Sequence, residues 1–127
     1  MLKRIPRRNH ITPVLRDLHW LRINERIEFK ILILTHKAYN GTAPVYLSEL
    51  IKKQDKTTRM RTREASDCYL LSIPPISKCC ANSYFERSFV YAAPLLWNKL
   101  HIDIRMLEFE PFKKRIKTEL YLRYFEA

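Results

Sequence analysis

Along most of this chain the apolar positions recur at helical spacing, and its hydroxyl, proline and glycine residues fall where helices start and stop. Thr12-Pro13 predicts a helix start, a hydroxyl cap followed by a proline whose missing N–H costs nothing there, with a short helix to about Leu18. A longer helix is predicted from an Asn24 cap, with Glu25 and Glu28 in its first turn, to Asn40-Gly41. On it Ile27, Ile31, Leu34 and Ala38 form one stripe, and Phe29, Leu32 and Ile33 widen the apolar surface, as in a helix buried on more than one side. Thr42-Ala43-Pro44 opens a third helix with Tyr46, Leu47, Leu50 and Ile51 on one face.

The pattern then changes. Tyr69 to Ile73, ended by Pro74-Pro75, and Ser83 to Tyr91, where Phe85, Arg87, Phe89 and Tyr91 alternate with Glu86, Ser88 and Val90, read as two short strands. An antiparallel pair joined by a loop of about nine residues is the expectation. Pro94 is expected to open a short helix carrying Leu95, Leu96, Trp97 and Leu100. A last helix is predicted over about Phe109 to Tyr124, with Phe109, Phe112, Ile116, Leu120 and Tyr124 inward and Lys113, Lys114, Lys117 and Arg123 outward. Pro111 is tolerated in its first turn. The expected fold is therefore mainly α with a small antiparallel β-hairpin, a compact helical domain over all 127 residues. Its core candidates are Trp20, Phe29, Ile31, Leu34, Trp97, Phe112, Ile116 and Leu120. Tyr46, Tyr84 and Tyr91 are assigned to packing as well.

Charge adds a partner class to this picture. Lys and Arg number 24 against 13 Asp and Glu, a formal net charge of +11, and such a field attracts polyanions. The cations concentrate in a basic N-terminal arm at residues 1–11 (Lys3, Arg4, Arg7, Arg8), on the outer face of the last helix (Lys113, Lys114, Lys117) and in a loop at about residues 52–66. From Lys52 to Arg63 that loop sets Lys52, Lys53, Lys56, Arg59, Arg61 and Arg63 against Asp55 alone, which reads as a solvated, flexible segment. The basic start superficially resembles a mitochondrial presequence, but Pro6 and Pro13 interrupt it and serine is absent from Met1 to Arg16. No signal peptide is expected, and no apolar run approaches the roughly 20 residues of a membrane span. The expected location is intracellular, nucleus or cytoplasm.

Catalytic chemistry finds little support. Asp17, Asp55, Asp67 and Asp103 are isolated, so no carboxylate pair stands ready for two magnesium ions. Gly41 is the single glycine, which excludes glycine-rich phosphate cradles. Cys68, Cys79 and Cys80, odd in number, fit a reducing compartment, and their spacing with His10, His19, His36 and His101 supplies no zinc pattern. No metal, cofactor or small-molecule substrate is expected.

The ordered motifs His10-Ile-Thr-Pro-Val-Leu15, Leu18-His-Trp-Leu21, Arg26-Ile-Glu-Phe-Lys-Ile-Leu32 and Gly41-Thr-Ala-Pro-Val-Tyr-Leu-Ser-Glu-Leu50 continue through Ala92-Ala-Pro-Leu-Leu-Trp-Asn-Lys-Leu100 to Phe112-Lys-Lys-Arg-Ile-Lys117. The set resembles the C-terminal region that follows the thumb in non-LTR (LINE-type) retrotransposon reverse transcriptases. Arg22 and His101 stand where that family usually has proline, and Phe85 where it usually has glycine. The resemblance implies a remnant of an RNA-directed DNA polymerase without its catalytic residues, either a truncated fragment or a tail adopted by a host.

Two functions follow as expectations. One is sequence-independent binding of RNA or DNA phosphates through the three basic clusters, in support of the parent polymerase. The other is a structural or protein-interaction module whose apolar face docks on the thumb. Trp20 and Trp97 are suited to stacking on bases, but each lies among leucines at a helix end, which favours core packing for both.

Overall fold

The computed structural model describes residues 10–54, 69–75 and 83–125. Among them the helices are α1 (Thr12–Asp17), α2 (Ile23–Tyr39), α3 (Val45–Leu50), α4 (Ser83–Glu86), α5 (Phe89–Asn98), α6 (Ile102–Arg105) and α7 (Phe109–Phe125). The fold is mainly helical and built around α2, which packs against α5 and α7 and meets α3, while α6 packs on α7. None of these helices is long and apolar enough to cross a membrane.

Trp97 sits at the centre, with no exposed surface. Its ring lies 5.6 Å from Tyr39 and 6.1 Å from His36, both on α2, and 5.7 Å from Phe112 on α7. A buried indole needs a partner for its N–H. Here Nε1 donates to the Tyr69 carbonyl at 2.8 Å, which draws the 69–71 segment onto α5. Asn98 continues the attachment, accepting from the Leu71 N–H at 3.0 Å and donating to the Leu71 carbonyl at 2.9 Å. On its other side the segment meets residues 52–54, where Ser72 N–H donates to Lys52 O at 2.8 Å and Gln54 N–H to Leu70 O at 3.1 Å. Leu71, thus held on both sides, is buried.

The buried face of α2 follows the expected aliphatic stripe only in part, at Ile31 and Ala38. Leu32, Thr35, His36 and Ala38 point inward, whereas Ile27 is 54% exposed and Leu34 lies at the surface; Phe29 and Ile31 are half-buried against the core. Polar residues can take the inner positions because their hydrogen bonds are made within the protein. Thr35 Oγ1 donates back to Ile31 O at 2.7 Å. His36 Nε2 donates to Leu107 O at 2.9 Å, joining α2 to the turn before α7, and its ring stacks on Phe112 at 4.4 Å. Asn40 Nδ2 lies 3.2 Å from Nδ1 and 3.4 Å from Nε2 of His36. Since Nε2–H is committed to the carbonyl, Nδ1 is the acceptor.

Other expectations need correction. Ser83 to Tyr91 is not a strand, and the expected hairpin does not form; the strand-like pairing among the described residues is an isolated antiparallel bridge between Lys53 and Leu71. Phe89, Ala93, Trp97 and Leu100 follow a helical rhythm, and Ala92-Ala93 favours helix, so packing on α2 prevails over the β preference of the aromatics. Pro94 lies inside α5 instead of opening it. Trp20 is 50% exposed, Tyr46 64% and Tyr84 80%, so none of these rings is core. The start of the basic loop is pinned, since Lys53 joins the bridge and its Nζ lies 4.3 Å from the Tyr39 ring centre; the rest of that loop and Cys68, Cys79 and Cys80 fall outside the described residues.

The end of α2 explains the lone glycine. Gly41 adopts φ +73°, its N–H donating to Ala38 O and the Thr42 N–H to Lys37 O, a left-handed termination of the Schellman type. A Cβ on Gly41 would meet nothing within 4 Å. Gly41→Ala is therefore expected to cost about 1–2 kcal/mol from backbone conformation alone. Trp97→Ala is expected to cost about 3–5 kcal/mol, and Asn98→Leu about 1–3 kcal/mol through the unsatisfied Leu71 backbone. Denaturant melts check all three; a Trp97→Ala melt that coincides with wild type would refute its central place.

Candidate nucleic-acid interface

Charge on the helices is sorted by face. On one side of α7, Arg115 pairs with Glu119 one turn on at 3.2 Å, and Arg123 reaches Glu28 of α2 at 3.3 Å. On another, Lys113 and Lys117 stand one turn apart and line a groove with Arg26 and Lys30, which stand one turn apart on α2. Like charges at this spacing cost an isolated helix about 0.2–0.5 kcal/mol per pair, so two such pairs opposed across one groove break a local rule of helix design. The groove has a volume of about 270 Å³; Leu21, Phe29, His19 and Trp20 complete its walls, and no carboxylate among the described residues lines it. A larger concavity of about 400 Å³ contains both signs, with Arg115 beside Glu119 and His101 Nδ1 2.9 Å from Asp103. Such internal pairing suits it less well to an anion.

The turn after α1 sets Trp20 at the groove. Trp20 N–H donates to Leu15 O at 2.9 Å and His19 N–H to Arg16 O at 3.1 Å, closing a Schellman turn with His19 at φ +51° in the position usually held by glycine. That conformation costs a non-glycine residue about 1–2 kcal/mol. It is offset by contacts to α7: the His19 ring stacks on Tyr121 at 5.3 Å and 2°, and Tyr121 Oη donates to Arg16 O at 3.1 Å. The Trp20 indole is left half in solvent, with the Arg26 guanidinium 5.8 Å from its ring centre.

Among the cations singled out by sequence, Lys113 and Lys117 line this groove, and Lys114 is exposed on the same helix. Lys52 and Lys53 are exposed but belong to the 52–54 segment, outside the groove lining. Lys3, Arg4, Arg7, Arg8, Lys56, Arg59, Arg61 and Arg63 lie outside the described residues. Sequence reasoning missed Arg26 and Lys30, although their one-turn spacing matches that of Lys113 and Lys117; Glu28 lies between them in sequence but is not among the groove-lining residues and pairs with Arg123. Among the described residues no three His, Cys, Asp or Glu side chains gather where a metal ion would bind. Comparison with protein-family models, curated proteins and solved structures finds no match.

The two tryptophans differ in a way that fluorescence reads directly. Acrylamide is expected to quench one of two emitting populations, and Trp20→Phe to leave only the resistant Trp97. Equal quenching of both in the wild type would contradict the placement of Trp20.

Proposed function

We propose that this chain is a noncatalytic module that binds the phosphate backbone of RNA or DNA without regard to sequence, akin to the region after the thumb in non-LTR retrotransposon reverse transcriptases. The single observation that supports it is the groove with Arg26 and Lys30 on one wall, Lys113 and Lys117 on the other, and no lining carboxylate among the described residues. Four cations converging on one concavity favour a polyanion that passes through it, and helix faces carry no groove-reading device for duplex sequence. Lys3, Arg4, Arg7, Arg8, Lys52, Lys53, Lys56, Arg59, Arg61, Arg63 and Lys114 would add contacts of the same kind. The overall charge of +11 would speed the encounter.

A second reading is favoured by the outward face of α2 and by α3, where Ile23 is 76% exposed, Ile27 54% and Val45 73%. In that reading the face docks on the polymerase thumb or another protein. Salt separates the two, because phosphate binding weakens steeply with ionic strength and apolar docking need not.

The test is a salt titration of single-strand binding by wild type and by the Arg26→Gln, Lys30→Gln, Lys113→Gln, Lys117→Gln combination. The slope of log affinity against log salt is expected to flatten by about 0.7 per lost contact. The melt should change little, since exposed charges contribute little to stability. An unchanged slope, or strong discrimination between unrelated sequences of equal length, would overturn the reading.

A further inference from the structure

Phosphate binding alone has no use for an indole at the groove wall, yet Trp20 is half exposed there beside four cations. We propose that Trp20 is a stacking platform for an unpaired nucleobase, so that the groove takes single-stranded polynucleotide in preference to duplex. The inference rests on the phosphate-binding reading and narrows its ligand class.

The indole is not needed for the turn that holds it. Trp20 closes the α1 turn through its backbone N–H, which nearly any residue would supply, and the stacking contact to α7 is made by His19. What the turn does is hold residue 20 at the groove, between α2 and α7, before any ligand arrives. Immobilising the platform in advance removes a cost that binding would otherwise bear. Arg26, whose guanidinium lies 5.8 Å from the ring centre, places positive charge beside the site where a base would lie, and Lys30, Lys113 and Lys117 supply charge for the phosphates on either side. This pairing of an aromatic face with a basic track is how single strands are held without sequence readout.

Size and chemistry both argue against a duplex. At about 270 Å³ the groove falls just short of small-molecule pockets of roughly 300–1,000 Å³, which is room for one planar ring system with its backbone passing outside. In a duplex the faces of the bases are covered by their neighbours, so an indole gains nothing from it beyond what the cations already supply. Leu21 and Phe29, apolar neighbours in the lining, suit a ring and offer nothing to a phosphate.

The experiment compares three probes: a thymidylate oligonucleotide of about 16 nucleotides, at the upper end of single-strand site sizes; a duplex of the same length; and inorganic polyphosphate, which has charge without bases. Trp20→Ala is expected to weaken the oligonucleotide about 5- to 150-fold, the range for one lost stacked base, and to leave polyphosphate and duplex unchanged. Trp20→Phe should restore most of the loss. In the wild type the oligonucleotide should quench Trp20 emission while polyphosphate does not; this readout stands even if Trp20→Ala proves poorly folded. If Trp20→Ala weakens all three probes equally, or if saturating oligonucleotide leaves the emission unchanged, stacking is overturned. If Trp20→Ala binds as wild type while the four Gln substitutions weaken binding, stacking fails and the phosphate reading survives. If no probe binds wild type, both fail.

Discussion

The need to satisfy one buried indole N–H organises much of this small protein. Trp97 could fill the space between α2, α5 and α7 by size alone, but its Nε1–H must find an acceptor, and the one it finds is the carbonyl of Tyr69. That bond carries a segment remote in sequence onto α5, where Asn98 pairs with both backbone groups of Leu71 in the manner of an extra strand. The adjacent pair Trp97-Asn98 thus anchors residues 69–71 through three hydrogen bonds, and the bridge to Lys53 follows from that placement. His36 works alike on the opposite side, where its ring packs against Phe112 while its Nε2–H holds the Leu107 carbonyl before α7 begins.

These anchors also position the groove. With α7 fixed against α2 by His36, Phe112, Ile116 and Leu120, the rows Arg26/Lys30 and Lys113/Lys117 are held as its two walls. A stable core therefore keeps like charges close, an arrangement that isolated helices would avoid and that an anion would relieve. The acidic side chains Glu28 and Glu119 are spent on the other side of the same two helices, pairing with Arg123 and Arg115.

The longer helices were legible from the chain because spacing and stop signals are local: Asn40-Gly41 ends α2 by the left-handed turn that only glycine adopts freely, and Phe109 to Tyr124 reads as helix with Phe112, Ile116 and Leu120 inward. The caps expected at Thr12 and Asn24, by contrast, fall inside α1 and α2, whose N-cap positions are Ile11 and Arg22. What escaped was tertiary. Phe85, Phe89 and Tyr91 look like strand residues until α2 is present for a helix at 89–98 to pack against. Thr35 and His36 look like surface residues until Ile31 O and Leu107 O are seen to satisfy them. Trp20, flanked by leucines, looks like core, and its true place depends on a turn with His19 where glycine would be the ordinary choice. The basic surface was legible on α7, but its other wall was not, because nothing in the chain announces that residues 26 and 30 face residues 113 and 117.

The central claim, that one groove between α2 and α7 receives a nucleic-acid backbone, is tested most directly by lysine acylation with and without a saturating single-stranded oligonucleotide, read residue by residue by mass spectrometry. The account predicts that Lys30, Lys113 and Lys117 become protected together, while exposed Lys99, in the mixed-charge concavity, keeps the reactivity it has in the free protein. Protection of Lys99 equal to theirs, or a protected set that omits Lys30, Lys113 and Lys117, would contradict it.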